Sequence, residues 1–149
     1  VILENALPLI VTLTANDLLR NGPIIQIEIS NPVDSLQKAT VNGLIDTGAA
    51  FSAINPQLAQ SCHLIQRGQK RIHVPGNTRP EDAKEYPEFA ASIRFPQSDL
   101  HGFRVHGVVA CPIFEKQFSC LIGRDILRYW ELIYSGNSGQ FSIADSREA

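Results

Sequence analysis

Short runs of alternating apolar and polar residues, broken at close intervals by proline, glycine and asparagine, set the pattern of the chain. Residues 24–29, Ile-Ile-Gln-Ile-Glu-Ile, alternate with period two and predict a half-buried strand. Asn31-Pro32 ends it, a polar loop covers 34–38, and Ala39 to Ile45 predicts the next strand, which delivers Asp46. Upstream, Pro8 to Thr14 predicts a first strand, and Asn16, Asp17, Asn21, Gly22 and Pro23 predict a turn after it. Downstream of Asp46, Phe51 to Ile54 is a short apolar piece. Asn55-Pro56 then reads as an N-cap followed by proline at the first helical position, opening a brief helix to Ser61.

The second half follows the same grammar. Arg71 to Val74 and Ala83 to Phe95 predict the two arms of a long, polar, exposed hairpin. The turn chemistry of Pro75 to Pro80 lies at its tip, and Pro87 marks a bend or an unpaired edge. Pro96 to Gly102 is a loop, Phe103 to Ala110 alternates again, and Cys120-Leu121-Ile122 is a short, fully apolar strand. Ile126, Leu127, Trp130 and Ile133 or Tyr134 fall on one face of a helix beginning just after Gly123. Residues 135–139, Ser-Gly-Asn-Ser-Gly, form a turn before a last strand over Gln140 to Ala144, and 145–149 reads as a loose tail. Many short strands with few helices make the chain mainly β. No internal repeat or linker divides it, so 1–149 is expected to be one domain.

Composition narrows the function. The 149 residues suffice for one core, and nine prolines with ten glycines suit short strands and turns. Net charge is −2 with no basic stripe, so nucleic acid is not an expected partner. No apolar run reaches the ~18 residues that a membrane-spanning helix needs. The chain opens on Val1 without a basic leader and contains no Met, which predicts a processed chain or a piece of a longer one. Cys62, Cys111 and Cys120 are odd in number and too widely spaced for a zinc knuckle. They are expected to be free thiols in a reducing compartment, which favours the cytoplasm.

The candidate chemistry sits at Leu44-Ile45-Asp46-Thr47-Gly48-Ala49. Asp-Thr-Gly after a strand is, at its simplest, a turn in which the carboxylate accepts backbone amides and glycine takes positive φ. Its position says more. An unpaired carboxylate at the end of an apolar strand is costly, so donors must receive it there, and Gly48 leaves room for backbone to approach. A second apolar strand runs into glycine at Ile122-Gly123-Arg124-Asp125-Ile126-Leu127.

The two motifs, in this order and with a hairpin between them, resemble the signatures of the retroviral-type (retropepsin-like) aspartic proteases, and the chain looks like a non-viral, single-domain member. The resemblance implies a single-lobe acid-protease subunit with a flap hairpin and one C-terminal helix. It makes Asp46 the catalytic residue, with Thr47, Gly48 and Ala49 supporting its loop and Ile122, Gly123 and Arg124 forming the second motif. Gly76, Asn77, Thr78 and Arg79 would be the flap tip. No metal or other cofactor is implied. The longer separation of the motifs implies insertions around the flap and at Pro96 to Gly102.

Aspartic proteolysis needs two carboxylates sharing one proton. The remaining aspartates, Asp17, Asp34, Asp82, Asp99, Asp125 and Asp145, lack a following Ser/Thr-Gly. The second carboxylate is therefore expected from a second copy, across a two-fold axis. Thr47 would then brace the two loops, a peptide or protein substrate would lie extended in the cleft, and the terminal strands would be candidates for the interface. Where viral relatives carry an acidic residue after the first motif, this chain has Ala50-Phe51-Ser52, so Arg124 needs another partner. The flap is charged and proline-bounded where the viral tip is rich in glycine.

Two rivals make different predictions. A retropepsin-fold module that binds peptides or assembles chains would be indifferent to loss of the Asp46 charge. An unrelated β-domain would carry Asp46 on its outer surface. His101 and His106 with Cys111 as metal ligands, Cys62-His63 as a thiol–imidazole pair and 67–71 as a recognition patch all have simpler readings. Those readings are ordinary histidines, side chains that diverge at a helix end, and a solvated face. Tyr129 and Trp130 read as helix packing.

Overall fold

The computed structural model describes residues 7–73 and 83–147. Alternation decides the central strands. In β2 (Ile24–Ser30) the residues Ile25, Ile27 and Ile29 are buried while Ile24, Gln26 and Glu28 are half-buried. Each fully buried Ile removes enough apolar surface to stabilise by about 1.5–3 kcal/mol, which fixes which face turns inward. β2 pairs antiparallel with β3 (Lys38–Ile45), Ile27 opposite Val41.

β3 then runs parallel to β8 (Cys120–Ile122), with Ile45 beside Ile122. β8 is antiparallel to the short β4 (Ala53–Ile54), and β4 is parallel to β7 (Phe103–Ala110). β6 (Lys84–Arg94) lies between β7 and β5 (Ile65–Ile72), completing a seven-stranded sheet. The far end of β6 also pairs with β2, Arg94 opposite Glu28, so the sheet closes back on itself. A second, three-stranded sheet has the order β1 (Leu9–Thr12), β10 (Gln140–Asp145), β9 (Trp130–Ser135). Its inward residues Phe141 and Ile143 join Ile27, Ile93 and Ile122 in one buried cluster, so the two sheets share a core.

The sequence expectations fail at two elements. Residues 15–21 are not a turn but α1 (Ala15–Asn21). Thr14 caps it by accepting the N–H of Asp17 at 3.0 Å, Leu18 is buried, and Gly22 ends it at φ +75°. Asn16, Asp17 and Asn21, which read as turn formers, lie inside a short helix capped by Thr14 and Gly22 and anchored by that one leucine. The helix after Gly123 is real but short. α3 spans only Arg124–Leu127, and Trp130 to Ser135 is the strand β9. Trp130 fits a helical face with Ile133 or Tyr134 and equally a period of two with Leu132 and Tyr134, and the 136–139 turn folds the segment back onto β10.

Smaller differences have local causes. β5 begins at Ile65, earlier than expected, because an edge strand needs no apolar alternation; Val74 lies outside the described residues. Pro87 faces Gln69 of β5, while pairing with β7 begins only at Glu88, so the proline sits where β6 has a partner on one side. Asn55 occupies the N-cap position of α2 (Pro56–Ser61), but its Oδ1 accepts the N–H of Ile113 at 2.6 Å instead of capping. At the chain's end, Asp145 to Arg147, expected as the start of a loose tail, are tied down. Arg147 donates to Asp145 and to the carbonyls of His101 and Gly102, and its guanidinium stacks 3.6 Å from the centre of the Phe103 ring. Among the described residues no helix is long and apolar enough to cross a membrane.

Candidate active site

β3 and β8 run side by side and end together, and this brings the two motifs into contact. The N–H of Asp46 donates to the Ile122 carbonyl at 2.9 Å, continuing the parallel ladder by one residue. The chain then turns, with the N–H of Ala49 on the Asp46 carbonyl at 3.2 Å. Inside that turn the N–H of Gly48 donates to Asp46 Oδ1 at 2.9 Å. This is the donor that the half-buried carboxylate needs. Gly48 is not in the left-handed region. Glycine suits the position because a Cβ there would lie 3.1 Å from Asp46 Oδ1.

The second motif clasps this loop from below. The backbone N–H of Arg124 donates to the Ala49 carbonyl at 2.8 Å, and its guanidinium donates to the Thr47 carbonyl at 2.8 Å. Gly123 lies flat against the loop, where a Cβ would come within 2.6 Å of the Phe51 carbonyl carbon. No larger residue fits without moving the backbone. Ser52, wholly buried, donates its N–H and hydroxyl to the Asp125 carboxylate and accepts the Gly123 N–H at 3.0 Å. Beside the loop an open, mostly apolar hollow of about 340 Å³ is lined by Thr47, Arg124, Leu127, Arg128 and Leu132.

A family model for aspartyl proteases matches residues 31–126, a span containing both motifs. The chain belongs to the aspartyl protease family. The fold of this family member is also similar to that of a solved retropepsin-like aspartic protease from Rickettsia conorii. The TM-score is 0.56 at 14% identity, with 93% of this chain and 90% of that one covered. At that identity the likeness speaks for the fold, which is retropepsin-like. No curated protein matches the chain at a significant level.

Asp46, Thr47, Gly48, Ala49, Ile122, Gly123 and Arg124 are thus brought together. The candidate flap-tip residues Gly76, Asn77, Thr78 and Arg79 lie outside the described residues. Two contacts beside the loop have no local signal in the sequence. Ser52 bonds Asp125 across a long separation in the chain, and Lys70 of β5 stands over the Phe51 ring.

Other reactive side chains in this family member are quiet. Burial pushes the thiols of Cys62 and Cys111 up, and that of Cys120 far up with the Asp125 charge adding to it. Protonated thiols are poor nucleophiles. Cys62 points its sulfur toward the Ile29 carbonyl while His63 meets Gln37, so the adjacent pair diverges. Among the described residues no three His, Cys, Asp or Glu side chains converge on a metal site.

Proposed function

We propose that the chain is an aspartic endopeptidase whose active site forms when two copies meet, each supplying one Asp46. The observation that carries this reading is the Asp46 loop itself. One carboxylate oxygen is held by the Gly48 N–H, and the whole turn is pinned by the Gly123-Arg124 motif. Such a loop holds a carboxylate at a fixed height with little freedom to reorganise during reaction.

In the assembled site the two carboxyls, about 3 Å apart, share one proton, because like charges that close cannot both ionise. The ionised carboxylate takes a proton from water as the water oxygen attacks the scissile carbonyl carbon. The protonated partner donates to the carbonyl oxygen and stabilises the tetrahedral intermediate. Transfer of a proton to the amide nitrogen then breaks the C–N bond and releases a carboxylic acid and an amine. Thr47 of each copy braces the paired loops. The hollow between Leu127 and Leu132 offers apolar surface to the second copy, and the β5–β6 hairpin closes over the extended peptide as a flap.

The test measures hydrolysis of a peptide library against pH, with oligomeric state and inhibition by a pepstatin-type compound followed in parallel. Activity should show two coupled ionisations. Asp46→Asn should abolish turnover while leaving the unfolding midpoint close to wild type. Hydrolysis that survives in Asp46→Asn overturns the reading. Peptide binding without hydrolysis, indifferent to Asp46→Asn, selects the non-catalytic binding module.

A further inference from the structure

Phe51, just past the Asp46 loop, has an exposed ring on a fixed backbone. Its carbonyl packs against Gly123, and its neighbour Ser52 is bonded to Asp125. Over that ring stands Lys70 of β5, with Nζ 3.6 Å from the ring centre. The same ammonium lies 3.2 Å from Glu88 Oε2 on β6. Both side chains are about three-quarters covered, with 26% and 22% of their surface exposed, so solvent screens the pair less than it would on an open surface.

The sheet is shaped to hold Glu88 in this pose. Gly68, opposite it on β5, leaves space where a Cβ would come 3.2 Å from Glu88 Oε1. Gly107 on β7 leaves space where a Cβ would come 2.9 Å from Oε2 and 3.4 Å from Lys70 Nζ. The two flanking strands thus lack side chains where the carboxylate lies across them toward Lys70. A continuous line of contact runs from β6 through Glu88, Lys70 and the Phe51 ring to the loop of Asp46.

We propose that Lys70 is a positioning residue of the site: aimed by Glu88, its ammonium seats the β5–β6 hairpin on the ring of Phe51 and so sets the width of the cleft above Asp46. This rests on the endopeptidase reading given above. A peptide entering between hairpin and loop then meets a gap whose size is already fixed, and less ordering remains to be done on binding. Lys70 touches no reacting atom, so its loss weakens substrate binding and spares the chemical step.

The experiment compares wild type with Lys70→Met, Lys70→Arg and Phe51→Leu. It measures KM and kcat on one peptide and amide hydrogen exchange across 65–72 and 84–94. Lys70→Met and Phe51→Leu should each raise KM about three- to tenfold with kcat within about twofold. Exchange should quicken in the hairpin arms and not in β2. Arginine keeps a cation that stacks on an aromatic face, so Lys70→Arg should restore both readouts toward wild type. An active wild type whose KM is unchanged by Lys70→Met overturns the role of Lys70 and leaves the endopeptidase reading standing. If wild type itself hydrolyses nothing, the endopeptidase reading falls. Exchange then decides whether Lys70 holds the hairpin, and unchanged rates in Lys70→Met overturn that too.

Discussion

The Asp125 carboxylate receives both the N–H of Ser52, at 3.0 and 3.1 Å, and its hydroxyl, at 2.7 Å. This pair ties the segment leaving the Asp46 loop to the helix in which the second motif ends. Because the Ser52 hydroxyl also accepts the buried N–H of Gly123, one side chain just past the Asp46 loop satisfies two groups of the second motif. Ser52→Ala leaves that N–H unpartnered and removes one donor from the carboxylate. The expected loss is about 1–3 kcal/mol of stability, read as a lower urea midpoint with an unchanged slope. An unaltered midpoint would mean that the clasp is held elsewhere.

Arg124 tests a different property, since it is exposed and donates to the Thr47 carbonyl at 2.8 Å. Arg124→Met should cost stability less than about 1 kcal/mol. It should nonetheless lower kcat/KM about tenfold, because the loop carrying Asp46 loses a restraint that holds the carboxylate in register. Unfolding curves measured beside steady-state kinetics separate the two effects. A variant with full activity would remove Arg124 from the account of the site.

Asp145 makes stability depend on acid. Burial acts against its charged form, but hydrogen bonds from the Arg147 side chain and backbone, with the charges of Arg147 and His101, outweigh it and hold the carboxyl below its ordinary value. A lowered folded pKa gives stability that is fully present above the unfolded value of about 4 and is lost as pH falls through the folded one. Arg147→Gln removes the guanidinium's hydrogen bonds and charge, keeps the backbone donor and His101, and leaves the burial. Thermal midpoints taken from about pH 6 down to about pH 2.5 should therefore fall less steeply in the variant than in wild type. Parallel curves would show that the pair is not responsible.

Much of the fold was legible because burial writes a period of two into the strands. Ile25, Ile27 and Ile29 announce β2, and the apolar runs ending at Asp46 and Gly123 announce β3 and β8. Their adjacency followed only from the resemblance, since nothing in either run states that Ile45 lies beside Ile122. α1 was hidden because Thr14, Asp17 and Gly22 serve a helix cap and a turn equally well. β9 was hidden because a short apolar run starting at Trp130 fits both periods. The partner that Arg124 finds is a backbone carbonyl, that of Thr47. The acidic group of the clasp stands instead at Asp125, facing Ser52.

The central claim is that two copies of Asp46 make one site, and mixing tests it most directly. Wild-type chains are combined with Asp46→Asn chains at varied ratios, allowed to exchange partners, and assayed at constant total protein. A shared dyad predicts activity falling as the square of the wild-type fraction, because only pairs with both carboxylates work. Activity falling in direct proportion to that fraction would mean that each chain acts alone, and would contradict the account.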